Sequence, residues 1–139
     1  YSLHYTATTE RLAACIAQVH RALQPGGLFC FNAVDRTRID NRLFAAHTVD
    51  SDEGRFTFSS GWHYSGAGER QSLRLRIEKT MGDETLIWND EHPMVAVSFA
   101  ELEGLLQPHF EVHVLAHDYQ RILPIGDGAG NALFVCVKS

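Results

Sequence analysis

Pro25-Gly26-Gly27 constrains this chain more than any other stretch, because it stands between a helix-like pattern and a strand-like one. Upstream, Leu12, Cys15, Ile16, Val19 and Leu23 recur at helical spacing and form one apolar stripe, with Arg11, Gln18 and Arg21 on the other side. Thr8 is the expected N-cap, and Glu10 falls in the first turn, where the helix dipole favours a negative charge. Proline followed by two glycines ends that helix and turns the chain. Downstream, Leu28 to Val34 is apolar on both faces. An apolar run directly after a helix predicts a strand of a parallel sheet covered on both sides. The unit is an αβ step of a doubly wound α/β fold.

The middle of the chain changes period. Phe56, Phe58, Trp62 and Tyr64 alternate with polar residues, and so do Leu73, Leu75 and Ile77, which predicts strands with one wet face. Gly66-Ala67-Gly68 is the expected turn between them. Thr85 to Trp88, and again Met94 to Val97, suggest a third strand or a third and a fourth, and the whole is read as an antiparallel insert of about three strands over roughly residues 50–93. The α/β pattern then returns. Ser98-Phe99-Ala100-Glu101 fits a capping box. Phe99, Leu102, Leu105 and Leu106 make the buried stripe of that helix, and Pro108 closes it. Phe110, Val112, Val114 and Ala116 point one way on the following strand. Gly126 to Gly130 turns the chain into a last apolar strand, Ala132 to Val137.

Charge and cysteine content narrow the function classes. The formal net charge is −5 with no run of Lys or Arg, which argues against nucleic acid, since phosphate binding needs a concentrated basic face. No apolar stretch approaches the ~20 residues that span a bilayer, and no signal peptide is visible. The three cysteines, Cys15, Cys30 and Cys136, all fall in apolar runs and read as buried thiols in a reducing, cytoplasmic setting. The chain opens at Tyr1 without a methionine, so an upstream part is expected. The whole is read as a single domain, residues 1–139.

Leu3-His4-Tyr5, the helix from Leu12 to Leu23, and Gln24-Pro25-Gly26-Gly27-Leu28-Phe29 are similar to the stretch after the fourth strand of class I S-adenosylmethionine-dependent methyltransferases acting on small molecules. Ser98 to Leu106, His109-Phe110 and Asn131 to Val135 resemble that family's last helix and last two strands. The resemblance covers residues 1–35 and 94–139; the insert agrees only in position. It implies a partial Rossmann-like methyltransferase sheet carrying an antiparallel β insert. It also implies that the glycine-rich cofactor loop lies upstream of Tyr1. The glycines at 126–130 precede a strand rather than a helix, so they do not make such a loop. On this reading the chain contributes the acceptor side of a site and is inactive alone, binding S-adenosylmethionine weakly and working with a missing N-terminal half. The alternative is a non-catalytic binding or assembly domain derived from that fold.

Sites in open α/β sheets lie at the carboxyl ends of the strands. By the resemblance, Ser2 and Leu3 would border the cofactor. His4 is the candidate general base, a role suited to histidine, or else a pocket-lining residue. Tyr5, Asn32 and Asp35 are the candidate acceptor contacts, with ordinary loop hydrogen bonding as the other reading of Asn32 and Asp35. Trp62, together with Tyr64 and Trp88, suits an aromatic acceptor pocket, an apolar face of the insert, or a dimer contact. His109, His113 and His117 share parity on one strand, but positions four apart lie roughly 13 Å apart, too far for one metal. No metal site is expected. The partners expected are a small-molecule acceptor and a second copy of the chain, with no nucleic acid and no membrane.

Overall fold

The computed structural model describes residues 1–42, 44–118 and 120–139. A short 3-10 turn, Ser2–Thr6, leads into helix α1, Thr9–Ala22. Thr8 caps α1 as expected, its side chain accepting from the Arg11 N–H. Strand β1, Leu28–Val34, follows the Pro-Gly-Gly turn. Gly26 has φ +76°, and a Cβ on Gly27 would lie 2.8 Å from the Gln24 carbonyl oxygen, so both positions need glycine. The turn is held from the far end of the chain. Gly26 N–H donates to the Lys138 carbonyl, Lys138 N–H donates to that of Gly27, and the Lys138 ammonium donates to the His20 and Leu23 carbonyls at the end of α1.

Four further strands follow as a meander: β2 (Ala45–Ser51), β3 (Gly54–Tyr64), β4 (Arg70–Met81) and β5 (Glu84–Val95). They form one antiparallel sheet in the order β2-β3-β4-β5. The insert is therefore longer than expected at both ends. Its two C-terminal apolar runs are a single strand that continues through Pro93, which is tolerated because β5 is an edge and needs no N–H there.

Helix α2, Phe99–Leu106, starts at the capping box predicted for it, with Ser98 accepting from Glu101 N–H and Glu101 accepting from Ser98 N–H. Strands β6 (Glu111–His117), β7 (Ile122–Pro124) and β8 (Asn131–Val137) complete a second sheet in the order β1-β8-β6-β7. Every pair in it is antiparallel. β8 lies between β1 and β6, and those two run the same way across it; the parallel neighbour that the resemblance implies for β1 precedes Tyr1 and is not among the described residues. An apolar run reports that both faces favour cover, and not the direction of the adjacent strand.

One face of this sheet carries Phe31, Ala33, Phe134 and Cys136, packed on Leu12 and Ile16 of α1 and Leu102 and Leu106 of α2. Burying each of the larger of these side chains contributes about 1.5–3 kcal/mol. The other face carries Leu28, Cys30, Leu133 and Val135, and no helix of the described chain covers it. Cys30 is accordingly exposed and Cys15 half-buried, which corrects the reading of all three cysteines as core. Cys136 alone is buried, and desolvation pushes its thiol up to about 12. His109 precedes β6, against the His20 and Phe110 rings, so it does not share a strand face with His113 and His117. Among the described residues no helix is long and apolar enough to cross a membrane.

Candidate functional site

The 3-10 turn Ser2–Thr6 is the wedge between the two sheets, and His4 is its anchor. His4 is 2% exposed. Its Nε2 accepts from the Val34 N–H at the end of β1 (3.0 Å), so Nδ1 carries the proton and donates to the Val95 carbonyl at the end of β5 (2.8 Å). The Gln71 amide lies 3.2 Å from Nδ1. The one proton on that nitrogen goes to Val95, and the Gln71 Oε1 is buried without a hydrogen-bond partner. Burial holds the His4 pKa below its ordinary 6.5. Both ring nitrogens are engaged by backbone groups, so this arrangement leaves His4 no lone pair for a substrate proton.

The neighbouring residue is placed differently. Tyr5 is half exposed, and its hydroxyl is hydrogen-bonded to His92 Nδ1 on β5. His92 Nε2 lies 3.0 Å from Asp90 Oδ2, whose pKa is lowered first by that bond. With Asp90 accepting from Nε2–H, Nδ1 accepts from the tyrosine O–H, and the tyrosine lone pairs face outward. Tyr5, His92 and Asp90 thus form a hydrogen-bonded chain along the surface, with the carboxylate at its exposed end. Sequence reasoning singled out Tyr5 but missed His92 and Asp90, whose alternation on a strand reads as an ordinary wet face.

A cleft opens beside this chain at the carboxyl end of β1. It holds about 250 Å³ and is lined by Val34, Arg38, Asp40, Trp62, Leu73 and Asn131, among others. Leu73 is the cross-strand partner of both Trp62 and His92, which sets the Tyr5–His92 pair at the flank of the cleft. The Trp62 ring also meets Tyr1 edge-on at 5.3 Å and lies 5.9 Å from His4.

The other candidates lie elsewhere. Asp35 sits at the end of β1, but its oxygens accept from Thr37 N–H, Thr37 hydroxyl and Phe99 N–H, so it caps the 3-10 turn Arg36–Arg38 and the start of α2. Asn32 is on the uncovered face of β1, 3.2 Å from His117 Nε2. Ser2 and Leu3 border a separate groove of about 380 Å³ along the free edge of β1, shared with Cys15, Phe29 and Asn32. Trp62 thus lines this cleft, Tyr5 is bonded to His92 one strand beyond its Leu73 wall, and Ser2, Leu3 and Asn32 line the separate groove along β1.

A strand-to-helix glycine loop is absent from the described residues. β1 leads to Asp35 and a 3-10 turn, β5 leads to α2 through Ala96 to Ser98, and the glycines at 126–130 join β7 to β8.

No family model matches the chain, and no curated protein is significantly similar to it in sequence. Solved structures are similar. DesVI of Streptomyces venezuelae superposes with a TM-score of 0.72 at 22% identity, over 99% of this chain and 55% of its own. CalS10 of Micromonospora echinaspora, an amino pentose methyltransferase with S-adenosylmethionine bound, gives 0.75 at 14% identity, over 99% and 54%. An S-adenosylmethionine-dependent methyltransferase of Clostridium acetobutylicum gives 0.69 at 15% identity, over 99% and 55%. The chain has a methyltransferase fold. It spans about half the length of the methyltransferases it matches, in agreement with the C-terminal half expected from its motifs.

Proposed function

We propose that this chain is the acceptor side of an S-adenosylmethionine-dependent methyltransferase, working together with a cofactor-binding half. The acceptor is a small polyhydroxylated amine of the amino-sugar kind, the class named for CalS10 and for the sugar N-methyltransferase KedS8 of Streptoalloteichus. The observation that carries this reading is the cleft at the end of β1, lined by Trp62 and Leu73, with His92 the cross-strand partner of Leu73 and bonded to Tyr5. Trp62 offers an apolar face on which a sugar ring stacks, while Arg38, Asp40 and Asn131 offer polar groups to hydroxyls. The bound cofactor supplies the methyl group. The residues of this chain orient the acceptor and take its proton. The acceptor N–H gives its proton to Tyr5 Oη as the tyrosine passes its own to His92 Nδ1, and Asp90 stabilises the imidazolium. His4 is a positioning residue that fixes the turn bearing Tyr5.

Two measurements test this. Calorimetric titration of the chain alone with S-adenosylmethionine should find no tight site; one stoichiometric tight site would overturn the division of labour. With a cofactor-binding half supplied, transfer of labelled methyl to a panel of amino sugars should fall about 10²-fold in Tyr5→Phe and in His92→Ala, and far less in Asn32→Ala. Full turnover in His92→Ala would remove the proton path, and no transfer to any amino sugar would sink the assignment of the acceptor.

A further inference from the structure

Among the described residues Ala7 is the only one other than glycine with a positive φ, +68° at ψ −24°. There a Cβ crowds the neighbouring carbonyl oxygen, so an alanine keeps that conformation only where its surroundings impose it. Ala7 joins the turn that carries Tyr5 to the start of α1. Within the turn, its N–H donates to the His4 carbonyl, and the Thr6 hydroxyl donates to that of Leu3.

On the helix side the restraint comes from 60 residues away in sequence. Glu69 Oε2 accepts from the Thr9 N–H (2.9 Å) and from the Thr9 hydroxyl (2.8 Å). Those two bonds hold the Glu69 pKa below the usual carboxylate value. The carboxylate is therefore charged at neutral pH and faces the positive end of the α1 dipole. The helix does not need it as a cap, since Thr8 already serves as one. What the carboxylate adds is a tie to the insert. The Glu69 carbonyl accepts from the Ala96 N–H (2.8 Å), and the Gly68 carbonyl accepts from the Tyr64 hydroxyl (2.9 Å), so the backbone bearing the carboxylate is itself fixed. Ala96 directly follows β5, the strand of His92. The start of α1 and the end of that strand are thus held at one spacing, and Ala7 is the joint that must fit it.

We propose that Glu69 and Ala7 are positioning residues for Tyr5: the carboxylate pins α1 where the chain reaches it only with Ala7 left-handed, and that setting lays the tyrosine hydroxyl on His92. The consequence for methyl transfer rests on the proton path proposed above; the clamp itself does not. His4 is held by both strand ends and stays in place when the carboxylate is removed. Relaxation of Ala7 to ordinary backbone then falls on Tyr5 to Thr8. Tyr5 is half exposed, so little packing opposes its departure from His92.

Heteronuclear NMR of the imidazole nitrogens reports this in the chain alone at neutral pH, with the His92 signals assigned through His92→Ala. The parent and Tyr5→Phe define the His92 Nδ1 shift with and without a hydrogen bond from tyrosine. Glu69→Ala should carry that shift at least halfway from the first value to the second. Glu69→Gln, whose amide oxygen still accepts from Thr9, should stay near the parent. Adding Ala7→Gly to Glu69→Ala should return the shift toward the parent, because glycine takes a positive φ without penalty. An unmoved shift in Glu69→Ala, an equal move in Glu69→Gln, or no return with Ala7→Gly overturns the proposal. Identical shifts in the parent and Tyr5→Phe would remove the Tyr5–His92 bond, and with it both the clamp's purpose and the proton path. With a cofactor-binding half supplied, kcat in Glu69→Ala should fall roughly tenfold or more at unchanged KM for the acceptor, as expected of a misplaced reacting group. A moved shift with undiminished transfer leaves the clamp standing and takes Tyr5 out of the reaction, so the two readings fail separately.

Discussion

Replacing His4 with alanine strands the Val34 N–H and the Val95 carbonyl in the interior, at the two strand ends where the sheets meet. Each buried group left without a partner costs about 1–3 kcal/mol, so His4→Ala should lower unfolding free energy in urea by roughly 3 kcal/mol. Its pH dependence has a definite sign. The folded histidine holds its proton less tightly than the unfolded one, whose pKa is 6.5. As pH falls through that value the unfolded chain takes up a proton that the folded chain refuses. This contribution to stability is complete above pH 6.5 and is lost as pH falls below it toward the folded value. The drop in urea midpoint between about pH 7 and about pH 5 should shrink in His4→Ala; an equal drop in both chains would show that other groups dominate. None of this was legible beforehand. The sequence marks a histidine after a leucine, and only the tertiary structure shows which backbone groups its two nitrogens meet. The Tyr5–His92 contact has the same cause, since its partners are 87 residues apart.

At the scale of elements, legibility follows locality. The end of α1 and the Ser98 capping box depend on residues within a turn of one another, and both were read correctly. Gly27→Ala should therefore act at the α1–β1 turn, where its Cβ meets backbone that cannot yield. Scanning calorimetry should show a clear fall in midpoint, and an unchanged midpoint would mean the turn relaxes freely. β2 was not read, for a physical reason: all seven of its residues are exposed, so it has no buried side to impose alternation. β7 is three exposed residues long and leaves no pattern either. The strand at Thr85–Trp88 and that at Met94–Val97 were read apart because Pro93 looks like a breaker until β5 is known to be an edge.

At the scale of the molecule, the two sheets differ in how far along the chain their strands must search for partners. In the insert, each strand pairs with the next one in sequence. In the other sheet, β1 pairs with the last strand, Leu28 opposite Val137, and β8 also supplies the partner of β6. Closing that long loop is entropically slower than zipping consecutive hairpins. Pulse-labelled hydrogen exchange during refolding should find β3 and β4 amides protected before those of β1; simultaneous protection would show the two sheets forming as one unit. During synthesis the order is imposed more strongly. The insert can assemble first, but the sheet bearing α1 and α2 must wait, with β1 lacking its β8 partner, until β8 leaves the ribosome. The position of β8 thus leaves this part of the nascent chain most exposed to misassembly just before that strand emerges.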